Sequence, residues 1–438
     1  MAANVGLAQS RLNTIQFLGP AALAILLGIM VQPRGAHVLF GLFALLLAAG
    51  VGRRDGWLDM VEPRGLLLVL LPAVGYLVLN SLWAPRPLAA LGSAGLLLIY
   101  VLLAQAAVTA IDREDTRKLA RCGNALVGAL ALGAAFVAFE GVTQQAILRT
   151  MLTRLPLLRP SEGGHVLIEG GVVTSIAEFL LKRNCTALLL CLWPALLVLA
   201  TWKQRTRAVG VALALLGLTG IAVRAAHHDT SLLALMVSLP VFALACWRAE
   251  WVRRGLIATW LIATLLVVPI AQLAYGARLY TSPHVPSSGQ ARIILWGFTA
   301  SEVSKSPWLG TGIGGAKAYF ERHLRDAPQP PDHVYPLTTG PHAHDVYLQT
   351  WYELGLVGAL LLLACGLGGL GWIGRQPAPV QPYALAGFAA AAVTGALSWG
   401  LWQEWFQALL FLSMVLMRLA SALSNRHNYG NGGVRGSS

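Results

Sequence analysis

Charge is what this sequence has least of. Of its 438 residues, 12% are charged and 56% hydrophobic, about half the charged share of a soluble domain. That excludes water as its main solvent. Acidic residues are scarcest, with 19 Asp and Glu against 32 Lys and Arg. The resulting net charge of +13 would point to nucleic acid in a soluble protein. Here the basic residues fall in short clusters between apolar blocks, the pattern of membrane topology and lipid contact, so membrane lipids are the expected partner and nucleic acid is not. Cysteine is sparse too: Cys122, Cys185, Cys191, Cys246 and Cys365 lie in or beside apolar blocks without a CxxC, which excludes a disulfide framework and a thiolate metal site. No A-x-A-like cleavage site clearly follows the first apolar stretch, which therefore reads as a retained span.

What remains is Leu, Ala, Val and Ile in blocks of about 16 to 25 residues, the length of an α-helix crossing a bilayer. Lipid leaves no partner for open backbone groups, so each block must be helical. The reading is an all-α polytopic membrane protein of about 12 transmembrane helices. They fall near residues 15–31, 37–51, 65–83, 88–108, 123–146, 185–201, 208–223, 231–247, 255–275, 346–374, 383–402 and 404–424. These form one domain over 1–424, interrupted by two long loops at 147–184 and 276–345 and followed by a disordered tail at 425–438.

Short-loop cations set the orientation. Arg53, Arg54, Arg64, Arg113, Arg117, Lys118, Arg121, Lys203, Arg205, Arg207, Arg248, Arg253, Arg254 and Arg375 share one side with Arg11, Arg426 and Arg435, against Arg34, Arg86 and Arg224 on the other. Both termini are therefore expected in the cytoplasm and both long loops outside. Histidine follows the same asymmetry: only His427 falls inside, while His37, His165, His227, His228, His284, His323, His333, His342 and His344 fall outside.

In the second long loop, Ile293, Trp296, Gly297 and Ala300 recur at helical spacing, predicting a surface helix over Gly289–Ser304. Arg292 would sit at the headgroup plane there, with Trp296 as its anchor. The Gly-rich stretch Gly310–Gly315 lacks GxxxxGK[ST] and is no P-loop. Helix is expected to resume through Tyr319 to His323, and five prolines keep 326–341 extended.

The richest segment is PHAHDVYLQTWYELGLVG, residues 341–358. Asp345 is a natural N-cap, which puts His342 and His344 at the outer end of a membrane helix. The positive end of a helix keeps imidazole neutral and attracts anions. Gly355 and Gly358 would let a neighbouring helix approach, and Glu353 reads as a buried structural hydrogen-bonding group. Lys182, Arg183 and Asn184 open another helix on the same face and suit a diphosphate, although headgroup contact would use the same residues. Arg224, His227, His228 and Asp229 crowd a short outer loop, where substrate contact or a structural role is favoured over metal. Glu140 and Arg418 are the other charges within spans.

Three elements together resemble the O-antigen ligase and polymerase superfamily. They are R-x-x-x-W (Arg292 to Trp296), P-W-L-G-T-G-I-G-G (Pro307 to Gly315) and H-x-H-[ND]-x-Y-L-x-x-x-x-E-x-G-x-x-G (His342 to Gly358). Lys182-Arg183-Asn184 is similar to that family's N-R-N element. Asp345 replaces the usual Asn, and Arg224 lacks the usual Ser-Arg pair.

The resemblance implies a GT-C-like bacterial inner-membrane glycosyltransferase, working without metal or cofactor and with inversion. Its donor would be a glycan on undecaprenyl diphosphate and its acceptor the lipid A core, on the periplasmic face. His344 would be the general base, with His342 in reserve. Arg183, Lys182, Asn184, Arg292, Arg224, His227, His228 and Tyr347 would contact diphosphate or substrate, and Asp345, Glu353 and Trp296 would support them. Polymerase or protein O-glycosyltransferase activity would use the same donor. A flippase would place polar groups at midplane, which this sequence does not do.

Overall fold

The computed structural model describes residues 2–62, 65–158 and 166–432. The helices run in chain order from α1 (Ala2–Val31), α2 (Ala36–Asp55), α3 (Leu66–Asn80), α4 (Pro87–Arg113) and α5 (Thr116–Val142) to α6 (Ala146–Arg154), α7 (Lys182–Ala200) and α8 (Arg205–Ala225). They continue as α9 (Asp229–Leu265), α10 (Val267–Gly276), α11 (Ser287–Val303), α12 (Gly315–His323), α13 (Val346–Gly374), α14 (Gln381–Leu397) and α15 (Glu404–Gly432). Every apolar block read from the sequence contains helix, but the block read at 383–402 leaves it after Leu397. Eight helices among the described residues are long and apolar enough to cross a membrane, so the chain is a polytopic membrane protein. The blocks at 231–247 and 255–275 are joined in α9, which bends at Arg248 (φ −142°, ψ 68°) and leads into α10.

The bundle is built around α7. Its sequence is apolar on all sides, and every residue from Asn184 to Leu199 is buried, as such a helix requires. α15 lies along it, with α14 and α8 also against α7 and α1 packed on α5. Outer helices keep bare apolar stripes, for example Val38, Leu42 and Leu45 on α2 and Val209, Leu213 and Ile221 on α8. Such stripes suit hydrocarbon as solvent.

The first long loop carries structure of its own. Glu140, buried in α5, accepts from the backbone N–H of Ile147 (2.8 Å) and Leu148 (3.0 Å), capping α6. It is therefore not a lone charge in a span. A hairpin follows, β1 (Val166–Glu169) paired antiparallel to β2 (Val172–Ile176), turning at Gly170 and Gly171, both at positive φ. His165 lies outside the described residues.

At the other end of the chain, helix α15 runs on through Gly432, past the start of the tail that the sequence suggested, so residues 425–432 are helical. Arg426 donates to the carbonyls of Ile111, Asp112 and Glu114, capping α4, which ties that stretch down. Arg435 lies outside the described residues. Arg418 is paired with Asp112.

The second long loop folds back into the bundle. α11 is embedded rather than resting on a surface, its Ile293, Ile294, Leu295, Thr299 and Ala300 buried against neighbours that include α10 and α13. α12 begins at Gly315, earlier than expected. Helix α13 is broken at Gly355 (φ 63°, ψ −160°). The backbone groups freed there pair with the Pro307–Gly312 loop: Thr311 N–H to Tyr352 O (3.0 Å), Gly312 N–H to Glu353 O (2.9 Å) and Leu356 N–H to Pro307 O (2.9 Å). Asn80 Nδ2 and Tyr76 OH add bonds to the carbonyls of Glu353 and Leu354. A break inside a membrane helix survives where protein restores its lost hydrogen bonds.

Candidate active site

The two histidines stand where α13 begins. Asp345 accepts from the N–H of Tyr347 (2.8 Å) and Leu348 (3.1 Å), capping the helix. His344, just before it, takes a left-handed backbone conformation (φ 53°). Its Nδ1 lies 2.8 Å from the carbonyl of Ser398. A carbonyl can only accept, so Nδ1 carries the proton and Nε2 holds the lone pair. Burial lowers the pKa of His344, the Ser398 hydrogen bond opposes that shift, and the charge of Arg292 lowers it further. The ring is therefore neutral at pH 7, with Nε2 free to accept a proton.

The His342 ring lies 4.0 Å from that of His344. Gln403 Nε2 donates to its Nε2 (3.0 Å), while Nδ1 is buried without a partner. Burial and the neighbouring His344 push its pKa down to about 3. Its lone pair is already engaged, which makes it the poorer base.

The linker Ser398–Gln403, between α14 and α15, organises this site. Ser398 holds His344, and Gly400 leaves room for the His342 ring, which a side chain there would strike. Leu401 N–H donates to Gln349 (2.9 Å), Trp402 to Glu353, and Gln403 to His342. Trp399 donates to Thr186 (2.9 Å) and stands edge-on to Trp405. Sequence periodicity carried the preceding span through 402 and missed these residues. The signal was present: Ser, Gly, Gln and two Trp interrupt an apolar run.

Arg183, at the start of α7, lies over Trp399 and Trp405, 5.8 and 5.7 Å from the ring centroids. Its Nε is buried without a hydrogen bond. The charge of Arg34, which the sequence reading did not place at the site, reaches Arg183. Those of Lys182 and Arg292 reach His228. Burial lowers the pKa of Arg292, and Asp229 opposes this at a distance. Among the described residues none of Arg34, Lys182, Arg183 and Arg292 forms a salt bridge. At the opposite end of the bundle several cations do have carboxylate partners, Arg113 with Asp55 and Lys118 with Glu114 among them. Unpaired cations grouped beside a neutral imidazole leave room for an anionic ligand.

Several residues expected to touch substrate make contacts within the protein. Asn184 is buried, and its Nδ2 donates to the carbonyls of Met30 (2.7 Å) and Val31 (2.8 Å), fixing α7 to the end of α1. His228 is buried with both ring nitrogens engaged by serine hydroxyls, Ser231 at 2.7 Å and Ser398 at 3.2 Å. Tyr347 is buried edge-on against Trp260. Arg224 and His227 lie at the exposed end of α8, 3.5 Å apart at their nearest nitrogens, and no contact joins them to the histidine pair.

Trp296 is no membrane anchor: its indole donates to the carbonyl of Ala343 (2.8 Å) and steadies the histidine loop. Glu353 accepts from Gly314 N–H (3.1 Å), Ala316 N–H (3.0 Å), Gln349 (3.3 Å) and Trp402. The Gly-rich stretch thus wraps a buried carboxylate. Gly355 is the helix break itself, and Gly358 faces the side chain of Leu354 on its own helix rather than a neighbour. No three His, Cys, Asp or Glu side chains converge as metal ligands among the described residues.

Comparison with known proteins places these features in a family. Residues 213–363 match the family model described as O-antigen ligase. A protein of Rickettsia felis is 23% identical over 279 residues, 63% of this chain and 67% of its own length. One of Rickettsia conorii is 25% identical over 251 residues, 56% of this chain and 59% of the relative. One of Rickettsia bellii is 26% identical over 248 residues, 55% and 58% respectively. All three carry the provisional name polysaccharide ligase, and the chain spans less than two thirds of the latter two. The matched segment holds Arg292, the Gly-rich loop and the entire His342–Gly358 motif, and these likenesses support membership of the O-antigen ligase superfamily.

Proposed function

We propose that this protein is an O-antigen ligase that transfers a glycan from undecaprenyl diphosphate to a hydroxyl of the lipid A core, on the periplasmic face of the bacterial inner membrane. The observation that carries the reading is the free Nε2 of His344, held by the Nδ1 bond to Ser398 beside cations that lack carboxylate partners.

In the reaction, His344 Nε2 takes the proton of the acceptor hydroxyl, and the oxygen attacks the anomeric carbon. The bond from that carbon to the diphosphate oxygen breaks, and its electron pair leaves with the diphosphate. Arg183 and Arg292 neutralise the departing charge, with Lys182 and Arg34 at the edge of the site. Displacement in line with the leaving group inverts the anomeric centre.

The deciding experiment is transfer by purified protein from a defined polyprenyl-diphosphate glycan to lipid A core, in chelator. Transfer that stops with His344→Ala supports the assignment, and wild-type rates in both His344→Ala and His342→Ala refute it. If a second glycan lipid or a pilin-like protein is glycosylated instead of lipid A core, the chain is a polymerase or a protein glycosyltransferase. Movement of glycan across proteoliposomes without bond transfer would make it a flippase.

A further inference from the structure

His228 lies in the turn between α8 and α9, away from the histidine pair in sequence, and it is buried. Its Nδ1 is 2.7 Å from Ser231 Oγ and its Nε2 is 3.2 Å from Ser398 Oγ. Serine hydroxyls both donate and accept, so either tautomer of a neutral imidazole is satisfied. Neither nitrogen is left for a ligand. Ser398 ends α14 in a non-helical conformation (φ −132°, ψ −56°), and its carbonyl is the acceptor for His344 Nδ1–H. Thr230 Oγ1 donates to Leu397 O (3.4 Å), a second link between the same two segments.

The last carbonyls of a helix have no partner within it, and the peptides that carry them turn freely unless something outside fixes them. Here the side chain of Ser398 is fixed by His228 while its carbonyl fixes His344. The hydrogen-bonded path therefore runs from the α8–α9 turn, through one serine, to the imidazole at the entrance of α13.

We infer that His228 is a positioning residue: through Ser398 it sets the direction of the carbonyl that holds His344 in its Nδ1–H form, and it does not contact the donor. The inference rests on the reading of His344 as the base. It replaces the sequence-based expectation that His228 binds substrate. A small misalignment of a base costs rate rather than affinity.

The test uses full-length protein in nanodiscs with the defined donor and lipid A core acceptor. His228→Ala and Ser398→Ala are each expected to lower kcat by about 10-fold and to leave the donor KM within about twofold of wild type. His228→Gln, whose amide reaches towards Ser398 Oγ, is expected to recover most of the rate. The double variant should be no slower than the slower single variant, because both break one path.

A raised donor KM with unchanged kcat in His228→Ala overturns the inference, because His228 would then touch the donor. Losses that multiply in the double variant overturn it as well. Wild-type kcat in His228→Ala while His344→Ala is inactive sinks the positioning role alone, whereas full activity in His344→Ala sinks the base assignment and this inference with it. Elution profile and melting temperature identify a variant that does not fold. Should His228→Ala fail to fold, Ser398→Ala alone and His228→Gln alone, read by the same kcat and KM criteria, decide the question.

Discussion

The Nδ1–H of His344 donates to the carbonyl of Ser398 across 2.8 Å, joining the residue before the N-cap of one helix to the C-cap of another, 54 positions further along the chain. That bond chooses the tautomer and directs Nε2 into the site. His342, two residues earlier, has its Nε2 engaged by Gln403. His344→Ala is therefore expected to abolish transfer, and His342→Ala to slow it, as measured by initial rates with purified protein.

Activity should fall on the acid side of the pH profile. A base works only while unprotonated, and burial holds the His344 pKa below the ordinary imidazole value. The half-maximal rate on the acid limb is thus expected below pH of about 6.5. A midpoint above that value would show that the titrating group is not this imidazole.

Arg183 and Arg292 should each contribute to donor use. Substituting either with Ala is expected to cost about 1.5 to 3 kcal/mol in kcat/KM for the donor, the worth of a hydrogen bond to a charged group. Unchanged donor use in one variant removes that residue from the diphosphate site.

Asp345 offers a test by pH and stability. Burial raises its pKa to about 7, against the opposing bonds from Leu348 and Tyr347. An acid whose folded pKa lies above its unfolded value, about 3.9, costs no stability below the latter and progressively more as pH rises towards the former. Asp345→Asn keeps an acceptor for the cap and removes the ionisation. Its melting temperature relative to wild type should rise between pH 4 and 7 and level off above, and a difference independent of pH would contradict the shift.

Glu353 and Gly355 should be intolerant for different reasons. Four donors converge on the Glu353 carboxylate, so Glu353→Gln sets an NH2 against N–H groups and should cost about 1 to 3 kcal/mol of stability. Gly355 has φ 63° and ψ −160°, a region open to glycine alone. An added Cβ would also strike the Trp308 carbonyl. Gly355→Ala is expected to reduce the yield of folded protein, measured by size exclusion in detergent. A wild-type yield and melting temperature would show that the helix break is dispensable.

Most of the helical architecture was legible in the sequence, because the bilayer leaves a long apolar run no alternative to a helix. The N-cap at Asp345 was legible for a local reason, since a carboxylate before an apolar run satisfies orphan N–H groups. The β-hairpin was missed although Gly170-Gly171 between two β-branched runs signals one. Gly355 was read as a packing surface because helical spacing continues through it, and nothing local announces that Pro307–Gly312 comes back to take over its hydrogen bonds.

The histidine motif and its position at a helix entrance were thus determined by the sequence itself, through composition and nearest-neighbour hydrogen bonding. Only the tertiary structure decided which histidine nitrogen is free, that His228 and Asn184 are spent on internal contacts, and that the Ser398–Gln403 linker packs against the histidine pair. Those outcomes depend on partners tens to hundreds of residues apart, where only packing determines which acceptor faces which donor.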